Sequence, residues 1–179
     1  LPIVDLEIPE STTSRQAVGK AQQLAESSDF GAALSWSLAA VELAERAGEP
    51  IELSGAWLVF SICAKRLEKM RAAEFAVGRA LAWDELSETA PALFASAGIQ
   101  AAVVHTNRGR PQHAHSVLDR VESSLAEYAP HLRGALLHAR GYLAHDRGDV
   151  EGSLTHYSAA LVAYAEPMKS LQHASVEVC

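Results

Sequence analysis

Three histidines and two arginines fall within twelve residues in HTNRGRPQHAHS, at 105–116. Imidazoles at His105, His113 and His115 beside the guanidinium groups of Arg108 and Arg110 are the residue types that ligate a transition metal or clasp a phosphate. A zinc site needs three or four converging ligands. His113 and His115, two apart on a helix, instead point about 200° away from each other. All eight histidines lie after residue 100: His105, His113, His115, His131, His138, His145, His156 and His173. Protonating all of them would carry the formal charge from −7 to +1, which adds a pH-sensing reading to the metal one. The expectation is scattered imidazoles facing solvent, with no metal ligand among them.

A second cluster, KRLEKMR at 65–71, sets Lys65, Arg66, Lys69 and Arg71 against Glu68 alone. Cations at the end of a helix are favoured by its dipole. The same cations could form a lip for a carboxylate, a phosphate or a nucleic-acid backbone. No window holds a GxxxxGK[ST] phosphate loop, an HExxH zinc helix, a GxSxG nucleophile elbow or a CxxC pair. The chain is therefore expected to be no enzyme and to need no cofactor.

Hydrophobic residues make up 49% of the 179 and charged residues 21%, as in an ordinary globular protein and unlike a disordered one. The formal charge of −7 argues against general attraction to nucleic acid or an anionic membrane, leaving only a local basic patch for such a role. No apolar run approaches the roughly 20 residues that span a bilayer. The two cysteines, Cys63 and Cys179, make neither a disulfide framework nor a metal spacing, which fits a reducing cytoplasm. Cys63, in an apolar helical stretch, is expected in the core. The chain begins at Leu1 with no basic and apolar leader, and so reads as a piece of a longer protein.

The elements that must carry these residues repeat. Pro50, Pro91, Pro130 and Pro167 follow Ala-rich segments at spacings of 41, 39 and 37. Between them lie the breaks SDF, EKM, GRP and GDV, whose middle residues 29, 69, 110 and 149 recur every 40, 41 and 39. Apolar residues step by three and four, as in Val117, Leu118, Val121 and Leu125, or Leu154, Tyr157, Leu161 and Tyr164. That is the stripe of helices burying one face. The reading is all-α, with helices over 14–28, 30–47, 51–67, 70–88, 91–108, 111–128, 131–147 and 150–165, and a ninth from Met168. Ser11 to Ser14 offer N-caps, Pro111 suits a helix start, Gly109 and Gly148 suit helix ends, and Asp149 can cap the helix that begins at 150.

In LLHARGYLAHDRGDVEGSLTHYSAALVAYAEP the chain resembles the tetratricopeptide repeat, with Gly141, the Gly148–Val150 turn, Tyr157, Ala160 and Pro167 at the family's spacing. The second unit has Trp57, Phe60, Ser61, Ala64, Ala73, Val77 and Ala80; the others carry Ala21, Ala33 and Ala40, and Ala102, Ala114 and Val121. The resemblance covers 14–167 and implies an α-α superhelix of four helix-turn-helix repeats, at 14–49, 50–90, 91–129 and 130–167. An extension over 1–13 precedes them, and a C-terminal helix over 168–179 caps them or begins a fifth. The units run near 40 residues where the standard repeat has 34, similar to long-helix forms in bacterial regulators and signalling adaptors.

In the family the first helix of each unit lines a concave ligand face. Carried over by register, that face comprises Arg15, Val18 and Gln22; then Leu58, Ile62, Lys65 and Arg66; then Ile99, Val103, Thr106 and Asn107; then His138, Tyr142, His145 and Asp146. It lacks the successive Lys and Asn with which carboxylate-gripping members hold a peptide terminus. Its apolar middle suits an amphipathic helix or an extended peptide. The resemblance thus implies a protein or peptide partner, for a scaffold or sensor segment of a larger bacterial regulator. Self-association through the groove or the end helix, and anion or nucleic-acid binding at 65–71, are the alternatives.

Overall fold

The computed structural model describes residues 8–83, 85–124 and 130–176, with side chains described to residue 165 but not at 130 and 131. Leu125, Cys179 and the side chains of His131, Met168 and His173 lie outside the described residues. Among those described the chain is all-helical. The elements are α1 (Ser14–Glu26), α2 (Phe30–Ala47), α3 (Pro50–Arg66), α4 (Met70–Ala80), α5 (Leu86–Thr89), α6 (Pro91–Asn107), α7 (Pro111–Ser124), α8 (Pro130–Asp146) and α9 (Val150–Val176).

Local chemistry sets the starts. Thr13 caps α1 in a reciprocal box with Gln16, at 3.2 and 2.9 Å. Asp29 and Asp149 accept from the backbone N–H of Ala32 and Gly152, at 3.1 and 2.9 Å. Pro50, Pro91, Pro111 and Pro130 each open a helix, where a missing N–H is harmless.

One turn is built within each of the four helix pairs, and its closure recurs at Gly48 between the first and second pairs. Ser28, Glu68, Gly109 and Gly148 all have positive φ, at 66°, 58°, 66° and 77°. In each case the next N–H reaches back to the carbonyl five residues earlier: Asp29 to Leu24, Lys69 to Ala64, Arg110 to His105 and Asp149 to Ala144, at 2.8–2.9 Å. The residue with positive φ itself donates to the carbonyl three back. This double closure is the Schellman end, which satisfies the last carbonyls and reverses the chain. The glycines at 109 and 148 signal it in the sequence; Ser28 and Glu68 adopt the same strained backbone without that signal.

Packing repeats in the same register. Ala21, Ser61, Ala102 and Gly141 on the first helices are buried, as are Ala33, Ala73, Ala114 and Ser153, and Ala40, Ala80, Val121 and Ala160, on the second helices. Small residues there let backbones approach. A Cβ on Gly98 would lie 2.3 Å from Val121 Cγ2, and one on Gly141 would lie 2.8 Å from the Tyr157 ring. Each first helix packs on its own second helix and on the next first helix, α1 on α3, α3 on α6 and α6 on α8. Ser61 ties three helices, donating to the Ala73 carbonyl at 3.1 Å and accepting from Gln100 Nε2 at 3.4 Å. One core joins α1–α4 to α6; a second joins α5 to α6, α7 and α8. Cys63 is fully buried, and burial pushes its thiol up to about 11.

Two boundaries differ from expectation by more than two residues. The helix expected over 70–88 stops at Ala80, where the buried Ser54 hydroxyl donates to the Ala80 carbonyl at 2.8 Å. The chain then bends so that Leu86, on the one-turn α5, enters the second core at 2% exposure. At the other end α9 runs through Pro167 to Val176 instead of breaking. A proline inside a helix removes one ladder bond, here to the Ala163 carbonyl, and in this helix that loss does not end the run.

Candidate functional site

The register places positions 22, 26, 58, 62 and 66 on facing sides of α1 and α3, and between these helices lies a cleft of about 670 Å³. Gln22, Ala25 and Glu26 line it from α1, Ser28 and Phe30 from the turn and the start of α2, and Leu58, Val59, Ile62 and Arg66 from α3. Leu58 and Val59 form a buried floor, with Ile62 half-buried beside them. Glu26 and Arg66, both exposed, are 40 residues apart and stand at the same place in successive units. The Arg66 guanidinium lies over the Phe30 ring, 5.9 Å from its centroid, which holds the cation at the rim. The cleft thus offers apolar burial below and opposite charges at its mouth.

Of the residues expected on this face, the structure brings Gln22, Leu58, Ile62 and Arg66 into the one cleft. Asn107 and Tyr142 meet further along, the tyrosine hydroxyl donating to Asn107 Oδ1 and linking α6 to α8. Ile99 and Val103 are half-buried against the second core. Lys65 is half-buried, and desolvation followed by the neighbouring Arg66 holds its ammonium below the ordinary lysine value. His145 and Asp146 are exposed at the end of α8.

Others are engaged elsewhere. Arg15 pairs with Glu52 of α3 at 2.8 Å. His138 is exposed, but its ring meets Tyr157 of α9 edge-on at 5.2 Å. Thr106, expected in the groove, is buried, its hydroxyl donating to the Ala102 carbonyl of its own helix at 2.9 Å. Turning into the helix is the usual resort of a buried threonine without another acceptor. In the basic cluster, Lys69 and Arg71 are exposed and Lys65 is half-buried, while Arg66 is held at the cleft rim by Phe30.

The histidine-rich stretch is more engaged than the expected scatter of solvent-facing imidazoles. Arg108 Nε lies 3.2 Å from Glu74 Oε2 on α4, and Arg110 pairs with Glu74 Oε1. His105 Nδ1 sits 3.9 Å from the same carboxylate, buried and without a hydrogen bond, and its ring centroid is 5.7 Å from that of His113. These groups fasten the third pair onto the second. Among the described residues no cluster of three or more His, Cys, Asp or Glu has the arrangement of a metal site.

Sequence reasoning missed Glu26, Phe30 and the floor residue Val59. Glu26 carried a signal, since it precedes Arg66 by one repeat. Phe30 carried none, because it belongs to a second helix and reaches the cleft only through the tight turn. No protein-family model matches the chain, and no curated protein sequence matches it.

Proposed function

We propose that the chain is a tetratricopeptide-like superhelix that binds a peptide or a helical segment of a partner protein, without catalysis, as a scaffold or sensor segment of a larger bacterial regulator. The observation that carries this reading is the cleft between α1 and α3, with its Leu58, Val59 and Ile62 floor and its Glu26 and Arg66 rim. Its volume falls in the range of sites that bury most of a ligand's surface. The floor is too apolar to recognise a phosphate or a sugar. It takes Leu, Ile, Met or Phe anchors spaced three or four residues apart on a helix. Arg66, already stacked on Phe30, loses little freedom when it pairs with an acidic ligand residue.

The test is an unbiased peptide-display selection against the chain, followed by titration of the enriched sequences into Ile62→Ala/Arg66→Ala. Arg66 is exposed and Ile62 half-buried, so the variant keeps its core. Enrichment of apolar-anchored acidic peptides, with affinity lost roughly 10-fold or more in the variant, is expected. Enriched peptides that bind wild type and variant equally would rule the cleft out as the binding site.

A further inference from the structure

One place on the second helices is filled by three kinds of side chain. In the register of the turns, Leu34 of α2, Glu74 of α4 and His115 of α7 are equivalent. Leu34 is buried in the first core. Glu74 is the carboxylate that gathers Arg108 and Arg110 from the turn of the following pair, with His105 3.9 Å away. One pair later, the residues equivalent to Arg108, Arg110 and His105 are Arg147, Asp149 and Ala144. These three and His115 border a cavity of about 270 Å³ between α7, α8 and α9, and Arg140, Leu143 and His156 complete its wall. Histidine stands where the preceding joint has its carboxylate, and a methyl group stands where that joint has the His105 imidazole. The space is therefore open and its central anion is missing.

The charges around the cavity do not make good that loss. Arg140 is already answered, its Nη2 lying 2.9 Å from Asp119 and 2.5 Å from Glu122 of α7. Asp149 is committed to the start of α9, accepting from the Gly152 N–H at 2.9 Å. His115 Nε2 stands 3.7 Å from Asp119 Oδ2. The side chains of Arg147 and His156 make no hydrogen bond or ion pair among the described residues. A guanidinium has five N–H donors, and an imidazole keeps at least one in either tautomer. Arg147, His115 and His156 thus bring donors from three helices to one cavity, and Leu143, 4% exposed, adds an apolar wall with Ala144.

We infer that this cavity binds a short-chain carboxylic acid, whose carboxylate pairs with Arg147 and accepts from His115 and His156 while its alkyl chain lies on Leu143 and Ala144. The preceding joint selects the class of ligand, since the group its turn gathers is a carboxylate. The apolar wall favours an acid with a carbon chain over a bare phosphate. The volume lies just under the roughly 300–1,000 Å³ of drug-sized sites, so the ligand is small. The site is separate from the cleft between α1 and α3 and does not depend on the peptide reading.

Histidine-selective NMR of the whole chain, at one fixed pH near neutrality and matched ionic strength, reads the site directly. Sodium butyrate is expected to shift the His115 and His156 signals saturably, in the millimolar range. Acetate, with two fewer methylenes to bury, is expected to bind roughly 10-fold more weakly. Arg147→Gln, at an exposed position, should weaken butyrate by roughly 10-fold or more. His115→Glu supplies the carboxylate from the chain itself, as at Glu74, and should abolish the saturable shift of His156 while circular dichroism shows the helices intact. Chloride that reproduces the butyrate shifts, inorganic phosphate that binds as tightly as butyrate, or a His115→Glu protein that binds butyrate like wild type would each overturn the assignment.

Discussion

At the scale of single residues, the four within-pair turns make the sharpest comparison because one backbone shape is filled by serine, by glutamate and twice by glycine. Ser28 and Glu68 hold the left-handed conformation that Gly109 and Gly148 hold freely. An L-residue there is strained by about 1–2 kcal/mol, and glycine gives back about 0.5–1 kcal/mol through the freedom of the unfolded chain. Ser28→Gly and Glu68→Gly are each expected to raise stability by about 0.5 kcal/mol, and Gly148→Ala to lower it by about 1 kcal/mol, read from denaturant midpoints. His105 makes a second prediction. Burial, His113 and Arg110 hold its imidazole below the ordinary value while Glu74 pulls the other way, burial being the largest influence. The folded chain then takes up a proton less readily than the unfolded one. This contribution is whole above about pH 6.5 and is lost as pH falls below that toward the depressed folded value. Between about pH 6.5 and 5.5 wild type should lose stability more steeply than His105→Gln; parallel curves would contradict the burial argument. The sequence revealed the turn slots and the residues in them. It could not reveal that Glu74, 31 residues before His105, would collect Arg108 and Arg110, because that pairing exists only once the second and third units pack.

Among elements, the helices were legible wherever a breaker and a cap agreed. Phe30–Ala47 lies between a capping aspartate and Gly48, and its expected and observed ends coincide. Legibility failed where tertiary contacts ended or extended a helix. No local breaker marks Ala80; the end of α4 is set by Ser54 across the pair and by the burial of Leu86. Pro167 marks a break that α9 does not make. Close helix pairing also fixes residues that local preference would change. Gly98→Ala gains up to about 1 kcal/mol of helix preference. It drives a methyl into Val121, which is fully buried and has no room to turn, and overpacking of this kind costs about 1–3 kcal/mol. A net loss is expected from Gly98→Ala, with Gly98→Ala/Val121→Ala less unstable than the sum of its single changes. That coupling, read by chemical denaturation, belongs to residues in contact. Additive effects would mean that α6 and α7 stand further apart.

For the whole molecule, the all-helical class and the pairing of neighbouring helices followed from two interleaved periodicities, one of prolines and one of turns. The cleft was legible only in part: register gathered Gln22, Leu58, Ile62 and Arg66, but it knows nothing of pairings, so it foresaw neither the Arg15–Glu52 ion pair nor the burial of Thr106 against its own helix. The measurement that bears most directly on the groove is a reversal of its rim. Arg66→Glu changes one exposed side chain, leaves the Leu58, Val59 and Ile62 floor intact, and should exchange a preference for acidic peptides for one for basic peptides, each by roughly 10-fold in affinity. The same apolar anchors should be kept. If Arg66→Glu binds the peptides enriched on wild type with unchanged affinity and unchanged charge preference, the ligand does not sit between α1 and α3.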